Sequence, residues 1–281
     1  MPELPEVESI RRSLEPLVSG RQIVRAEILD SRLVRPEPPL DVAARLEGER
    51  ISLLDRRGKY LLVRFESGKT LVVHLRMTGS LRHRQAGGEL LPHERAGLEL
   101  DDGSELVYRD VRRFGTWCLL DAIELESYLA ARVGPEPLAP DFSSELLRGR
   151  LAGRRIALKA ALLDQRTLAG LGNIYVDEAL WAARLHPATT AGTLSRQAIV
   201  RLHGAIRETL ALGIARQGAT LRDYALPDGK TGSMQKEFRV YGREGEPCER
   251  CGTAIAKTRI AGRGTWFCPS CQRYRDRRDR S

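Results

Sequence analysis

The chain has 281 residues, and its 46 Lys and Arg against 37 Asp and Glu leave a formal charge of +9. That length suits two domains of ordinary size, each burying its own core, and the positive balance favours a polyanionic partner over an acidic small molecule. No segment approaches the ~18 consecutive apolar residues of a spanning helix, and the charged N-terminus lacks a signal-peptide core, so membrane and secreted classes are excluded and a cytoplasmic location is expected. The charge is uneven: from Arg239 to Ser281 there are 11 basic and 5 acidic side chains, which points to nucleic acid.

In MPELPEVESI, Val7, Ile10, Leu14, Leu17 and Val18 recur at helical spacing, with Gly20 as a stop, and predict an amphipathic helix over residues 3–18. Pro2 admits two readings here. Proline is common at the first helical position. It also follows Met1, and once that residue is removed its nitrogen becomes a free secondary amine able to form an iminium with an electrophilic carbon. After this helix the period changes to two. ERISLLDRR, KYLLVRF, TLVVHLRM and LELDDGSELVYRD read as hairpin strands of an antiparallel sandwich or barrel. Cys118, in FGTWCLLD, is expected to be a buried strand residue. The proline-rich VGPEPLAPDF (133–142) reads as a linker, after which RIALKAALLDQ, IYVDEALWAARL and LSRQAIVRLHGAIRETLALGIARQ carry helical apolar stripes. QGATLRDYALPDGKTGSMQ is too long for a bare connector and is expected to be functional or disordered.

Cys248, Cys251, Cys268 and Cys271 form a C-x2-C-x16-C-x2-C pattern. In a reducing compartment such clustering indicates metal rather than disulfides. Four thiolates close a tetrahedral shell around one Zn²⁺, so the ion is expected to be structural. Between the two pairs lies a hairpin sequence carrying Lys257, Arg259 and Arg263, suited to gripping phosphates.

MPELPEVE, RRGKYLL (56–62), HLRMTGSL (74–81), RRFG (112–115), GLGNIY (170–175), TLRDY, VYGR and the closing cysteines together resemble the bacterial formamidopyrimidine-DNA glycosylases, from the first residue to Cys271. The sister family, endonuclease VIII, typically has Gly where this chain has Leu4, so the resemblance favours the purine-excising branch over a pyrimidine-lesion enzyme. A non-catalytic damaged-DNA binder of the same fold is the other alternative.

The resemblance implies an α+β protein with the following boundaries: an N-terminal helix plus antiparallel β-sandwich catalytic domain (1–132), a linker (133–142), a helical helix-two-turns-helix domain with a lesion-recognition loop (143–236), a zinc-finger β-hairpin (237–271) and a basic tail (272–281). It implies that Pro2 attacks C1′ of the damaged nucleotide, that Glu3 donates protons with Glu6 supporting the site, and that Lys59 and Arg263 serve β- and δ-elimination. Met77, Arg112 and Phe114 match the wedge that fills the duplex when a nucleotide is flipped out. His93, Arg154, Lys159 and Asn173 match DNA contacts, and Thr220, Arg222 and Tyr224 belong to the loop that closes over the lesion. The implied partner is double-stranded DNA carrying oxidised purines or abasic sites, bound by a monomer in the bacterial cytoplasm at the nucleoid, with one structural Zn²⁺.

Overall fold

A computed structural model describes the chain except for residues 86, 89, 90, 222, 223 and 275–281. The chain divides into two compact units: residues 1–131 with 216–235, and residues 132–215 with 236–281.

The first unit opens with α1 (Leu4–Val18), capped by Glu3. Pro5 occupies its first turn, where a missing N–H costs nothing. Pro2 therefore lies outside the helix, and the helix-start reading explains Pro5 but not Pro2. Val7, Ile10, Leu14 and Val18 are fully buried as their spacing required, whereas Leu17 is exposed because it falls off that stripe.

Eight strands follow: β1 (Ile23–Ile28), β2 (Ile51–Arg57), β3 (Tyr60–Phe65), β4 (Thr70–His74), β5 (Gly79–Gln85), β6 (Glu94–Leu100), β7 (Ser104–Asp110) and β8 (Thr116–Leu120). They form two antiparallel sheets, ordered β1-β6-β7-β5 and β2-β3-β4-β8. Leu61, Val63, Leu71 and Val73 of one sheet share a core with Leu81, Leu98, Leu106 and Tyr108 of the other, and α1 seals its edge with Ile10 and Leu14. This is the sandwich that period-two alternation predicted. Strands β1 and β5 and the helices α2 (Pro39–Leu46) and α3 (Ala122–Ala130) carry weaker patterns and were not legible as elements, whereas β8 matches the strand expected around Cys118. Cys118 lies in β8 but is only half-buried.

In the second unit, α4 (Ser144–Leu151), α5 (Leu158–Leu163), α6 (Asn173–Ala183) and α7 (Arg196–Ala215) pack around one another, and β9 (Ala256–Ile260) and β10 (Arg263–Phe267) form a hairpin against α6. Residues 133–142 are not a free tether. The Gly134 N–H donates to Gln165 O, Pro135 O accepts from the Ala169 N–H, and Arg207 donates to the carbonyls of Pro137 and Ala139. The proline run lacks backbone donors, so its carbonyls are satisfied by the helical unit instead. Residues 216–235 group with the first unit, whereas a linear reading attaches them to the helices that precede them. No helix among the described residues is long and apolar enough to cross a membrane.

Candidate active site and nucleic-acid interface

Pro2 is buried immediately before the Glu3 cap, while Met1 is 40 % exposed. Glu3 and Glu6 are each 2 % exposed. The Glu6 carboxylate reaches in two directions: one oxygen accepts the Glu3 backbone N–H at 2.8 Å, as in a capping box, and the other accepts the Ala219 N–H at 2.8 Å. The second bond brings the long loop onto the start of α1. A Cβ on Gly218 would lie 2.8 Å from Glu6 Cγ, so the approach requires glycine. Tyr224 tightens the same junction, its hydroxyl donating to Gln217 O at 3.0 Å beside Glu6 O. Thr220 Oγ1 accepts the Gly232 N–H, and the Thr220 N–H donates to Gln235. Farther along, Arg82 donates to Leu226 O at 3.0 Å. The loop that looked like a mobile lid is thus anchored at both stems and on β5.

Lys59 lies in the two-residue turn between β2 and β3 and is 4 % exposed. A lysine at a hairpin turn is ordinarily solvated, and this one is not. Arg56 connects the turn to α1, donating to Glu8 and to Gly58 O at 3.1 Å each. Burial alone would raise the Glu8 carboxyl, but the guanidiniums of Arg11, Arg12 and Arg56 bring it down to about 2. His74, on the adjacent strand, is held near 3 by burial and by the cations Arg76 and Lys59, so its ring is neutral and Nδ1 accepts the Arg76 N–H at 2.9 Å.

The loops after β4 and β7 carry Met77, Arg112 and Phe114. Met77 is 37 % and Phe114 51 % exposed, and the Arg112 guanidinium lies 4.7 Å from the Phe114 ring centroid. Exposed apolar side chains of this size on a rigid frame suit insertion between bases. The frame is Asp110, which is 1 % exposed. Its carboxylate accepts from Thr78 Oγ1 (2.5 Å) and from the backbone N–H groups of Arg112 (3.2 Å), Phe114 (2.9 Å) and Gly115 (2.8 Å). One side chain thereby holds both loops. A Cβ at Gly115 would sit 1.7 Å from Tyr108 Oη, so nothing larger fits there. Arg113 anchors the second loop in a bidentate pair with Asp30 (2.5 and 2.8 Å), and that pairing, against burial, lowers the Asp30 carboxyl to about 2.

In the second unit the sulfurs of Cys248, Cys251, Cys268 and Cys271 all lie within 4.8 Å of one another. Cys251 Sγ is 3.5 Å from both Cys268 Sγ and Cys271 Sγ, near the ~3.8 Å edge of a tetrahedron with 2.3 Å Zn–S bonds. The residues fit one structural zinc. The Trp181 indole and the Cys271 N–H point at Cys248 and Cys268 sulfur, as donors to thiolates do. Ala261 and Gly262 turn the hairpin with positive φ and leave Arg263 exposed at the start of β10. Lys257, Arg259 and Arg263 are all exposed on the hairpin, and Lys257 is partly spent on Glu244 (3.1 Å).

Three family models match the chain: the formamidopyrimidine-DNA glycosylase N-terminal domain over residues 1–117, the H2TH domain of the same enzymes over 133–225, and the zinc finger found in FPG and IleRS over 245–273. The chain belongs to the formamidopyrimidine-DNA glycosylase family. It is 48 % identical to the formamidopyrimidine-DNA glycosylase of Chloroflexus aggregans, covering 97 % of this chain and 98 % of that one. Against the Symbiobacterium thermophilum protein of the same name it is 49 % identical, over 97 % and 89 % of the respective chains. A point mutant of Lactococcus lactis FPG bound to DNA containing Fapy-dG superposes with a TM-score of 0.91 at 41 % identity, and Lactococcus lactis Fpg bound to abasic-site DNA does so with the same TM-score at 40 %; each match covers 97 % of this chain and 100 % of that one.

Placed in this family frame, the residues expected to contact DNA separate into two groups. His93 is exposed in a turn with φ 71°, and Arg112 is exposed on its loop. Arg154 is half-buried and paired with Asp164 at 3.2 Å. Lys159 is different: it is fully buried, 2.7 Å from Asp177, and donates to Gly264 O at 2.9 Å. Asn173 Nδ2 donates to the same carbonyl at 3.0 Å, and the Trp266 N–H donates to Asp177. These side chains clamp the zinc hairpin to α6, so Lys159 is no free phosphate ligand in this structure. Burial raises the Asp177 carboxyl, opposed by Lys159 and the Trp266 amide. Glu178, next to it, accepts three successive N–H groups from Arg239, Val240 and Tyr241. Asp110, Asp177 and Glu178 escaped sequence reading. The signal for the last two was present, as adjacent acids in an otherwise apolar helix segment, NIYVDEALWAA. Arg222 lies outside the described residues.

Two expected results follow from this frame. Asp110→Ala strands the Phe114 and Gly115 N–H groups, while the Arg112 N–H keeps Thr78 Oγ1 at 3.0 Å, at ~1–3 kcal/mol for each group left unpaired in the interior. Excision from duplex DNA should fall while cleavage of a preformed abasic site in single-stranded DNA, which needs no wedge, persists; equal loss on both substrates would contradict the framing role. Removing zinc with a chelator, or Cys248→Ser, should weaken duplex binding well before circular dichroism reports melting of the sheet unit. Unchanged binding would count against the hairpin as a phosphate grip.

Proposed function

We infer that this chain is a bifunctional DNA glycosylase and AP lyase of base excision repair, acting on oxidised purines. What carries the chemistry is the position of Pro2: buried, outside the helix that Pro5 starts, and one residue from a buried glutamate. The exposure of Met1 makes it accessible for removal, which leaves the Pro2 nitrogen with an undelocalised lone pair. That pair forms a bond to C1′. The glycosidic electrons leave with the base, which takes a proton, and Glu3 protonates the ring oxygen as the C1′–O4′ bond opens to the iminium. The iminium acidifies the C2′ proton. Its loss expels the 3′ phosphate, with Lys59 managing the proton, and a second elimination, assisted by Arg263, expels the 5′ phosphate. Met77, Arg112 and Phe114 fill the space left by the flipped nucleotide, and the Thr220–Tyr224 loop, joined to the catalytic helix through Glu6, closes over the lesion. Acting in the cytoplasm, the protein would be held at the nucleoid by its affinity for DNA.

Mass spectrometry of the mature protein, before and after borohydride reduction with a duplex containing 8-oxoguanine, tests Met1 loss and adduct formation together. Normal incision by protein acetylated at its N-terminus would overturn the Pro2 assignment. A non-catalytic binder of the same fold would give no trapped adduct.

A further inference from the structure

The end of α6 remote from Asn173 opens into a cavity of about 1210 Å³, with the zinc ligands Cys251 and Cys271 in one wall and the rest of its lining without a part in the chemistry above. Eleven residues of helix, ~16 Å at 1.5 Å per residue, separate it from the Gly264 clamp. Arg184, Arg201, Arg250 and Arg273 line it, and among the described residues no carboxylate does. Two of these have a structural reason to be there. Arg250 stacks 3.6 Å from the Trp181 ring and donates to Trp181 O and Ala182 O, and Arg201 donates to Ala183 O, so both answer the partial negative charge at the helix C-terminus. Arg184 and Arg273 have none. Both are exposed; Arg184 occupies the left-handed cap of α6 and Arg273 touches only Ser270 O among the described residues. The thiolates of Cys251 and Cys271 in the cavity wall offset part of this charge, which leaves the exposed guanidiniums of Arg184 and Arg273 to take an anion from solution.

Beside them is a stacking surface. The His186 ring lies 4.7 Å from that of Phe267 and 5.3 Å from that of Tyr274, and Tyr274 is 52 % exposed. Guanidiniums next to an exposed aromatic face suit a nucleic-acid strand, whose phosphates and bases alternate. An acidic peptide would use the cations and leave the ring idle.

We propose that this cavity binds a second, single-stranded segment of nucleic acid, with phosphates at Arg184 and Arg273 and a base on Tyr274, while duplex DNA occupies the lesion site. This second site rests on the DNA-binding reading above, and stoichiometry measured without catalysis separates its failure from any failure of the lyase chemistry. Full-length protein is saturated with a duplex carrying a tetrahydrofuran abasic analogue, and a labelled thymidine oligomer of about twelve nucleotides, within the usual range of site sizes, is titrated by anisotropy. One further equivalent is expected to bind, more weakly as salt rises. Tyr274→Ala should weaken it by roughly 5- to 100-fold, as loss of one stacked base does. Arg184→Asn with Arg273→Gln, the asparagine keeping the left-handed cap, should weaken it by roughly tenfold and leave duplex affinity unchanged. Failure of the duplex-saturated protein to bind the oligomer would overturn the proposal, as would variants that bind like the parent. Equal displacement by tripolyphosphate with no effect of Tyr274→Ala would mark a free-phosphate site instead, and tighter binding of polyglutamate a peptide site; either result also overturns it.

Discussion

Glu3→Gln is expected to slow excision of 8-oxoguanine from duplex DNA by roughly 10²- to 10⁴-fold, the contribution of a positioned general acid, while lesion-duplex affinity stays within about threefold. The substitution preserves volume and leaves the bond between the Glu3 backbone N–H and Glu6 in place. What it removes is the transferable proton. Borohydride trapping on a preformed abasic site separates the steps, because there the base is already gone and Pro2 needs only an aldehyde. Trapping should persist more strongly than excision. Equal excision rates for Glu3→Gln and the parent would remove Glu3 from the mechanism, and loss of duplex affinity in parallel with rate would mean that the glutamate shapes the site rather than donates a proton.

Lys159→Met should destabilise the protein by about 3–5 kcal/mol, the usual consequence of leaving one partner of a buried ion pair unpaired. Asp177 is left in the interior with only the Trp266 amide among the bonds described for it, and Gly264 O keeps Asn173. Adding Asp177→Asn removes the orphaned charge and retains an acceptor for that amide, so the double variant should recover much of the loss. Thermal or denaturant unfolding measures this, and DNA binding gives the contrast. A phosphate-contacting lysine would lower the salt dependence of binding by about one ion when removed. A buried clamp leaves that slope unchanged and weakens binding by loosening the hairpin. A reduced slope with undiminished stability would restore Lys159 to the phosphate-contact role that its resemblance to the family implies.

The expectations met by the structure share a short range. Helix α1, the paired strands β2 to β4 and β6 to β7, and the zinc quartet each depend on spacings of two to about twenty residues, where side-chain period and ligand geometry act directly. Pro2 drew notice through its place after Met1, whereas its catalytic role is what the resemblance to the family implies. Where expectation and structure part, the deciding contact is distant. Whether Lys159 faces phosphate or protein depends on Gly264, 105 residues away. The long loop settles on α1 because Glu6 meets Ala219 across 213 residues. Asp110 gathers Thr78 from a separate loop 32 residues earlier.

By itself, then, the sequence determined the sandwich, the helical second half and the metal ligands, all of which follow from local pattern. Only the tertiary structure decided which charged side chains are buried as struts and which stay in solvent to meet DNA. Periodicity assigns a lysine or aspartate to a face of its own element, but the cost of desolvating it, and the partner that offsets that cost, come from whichever remote segment packs against that face.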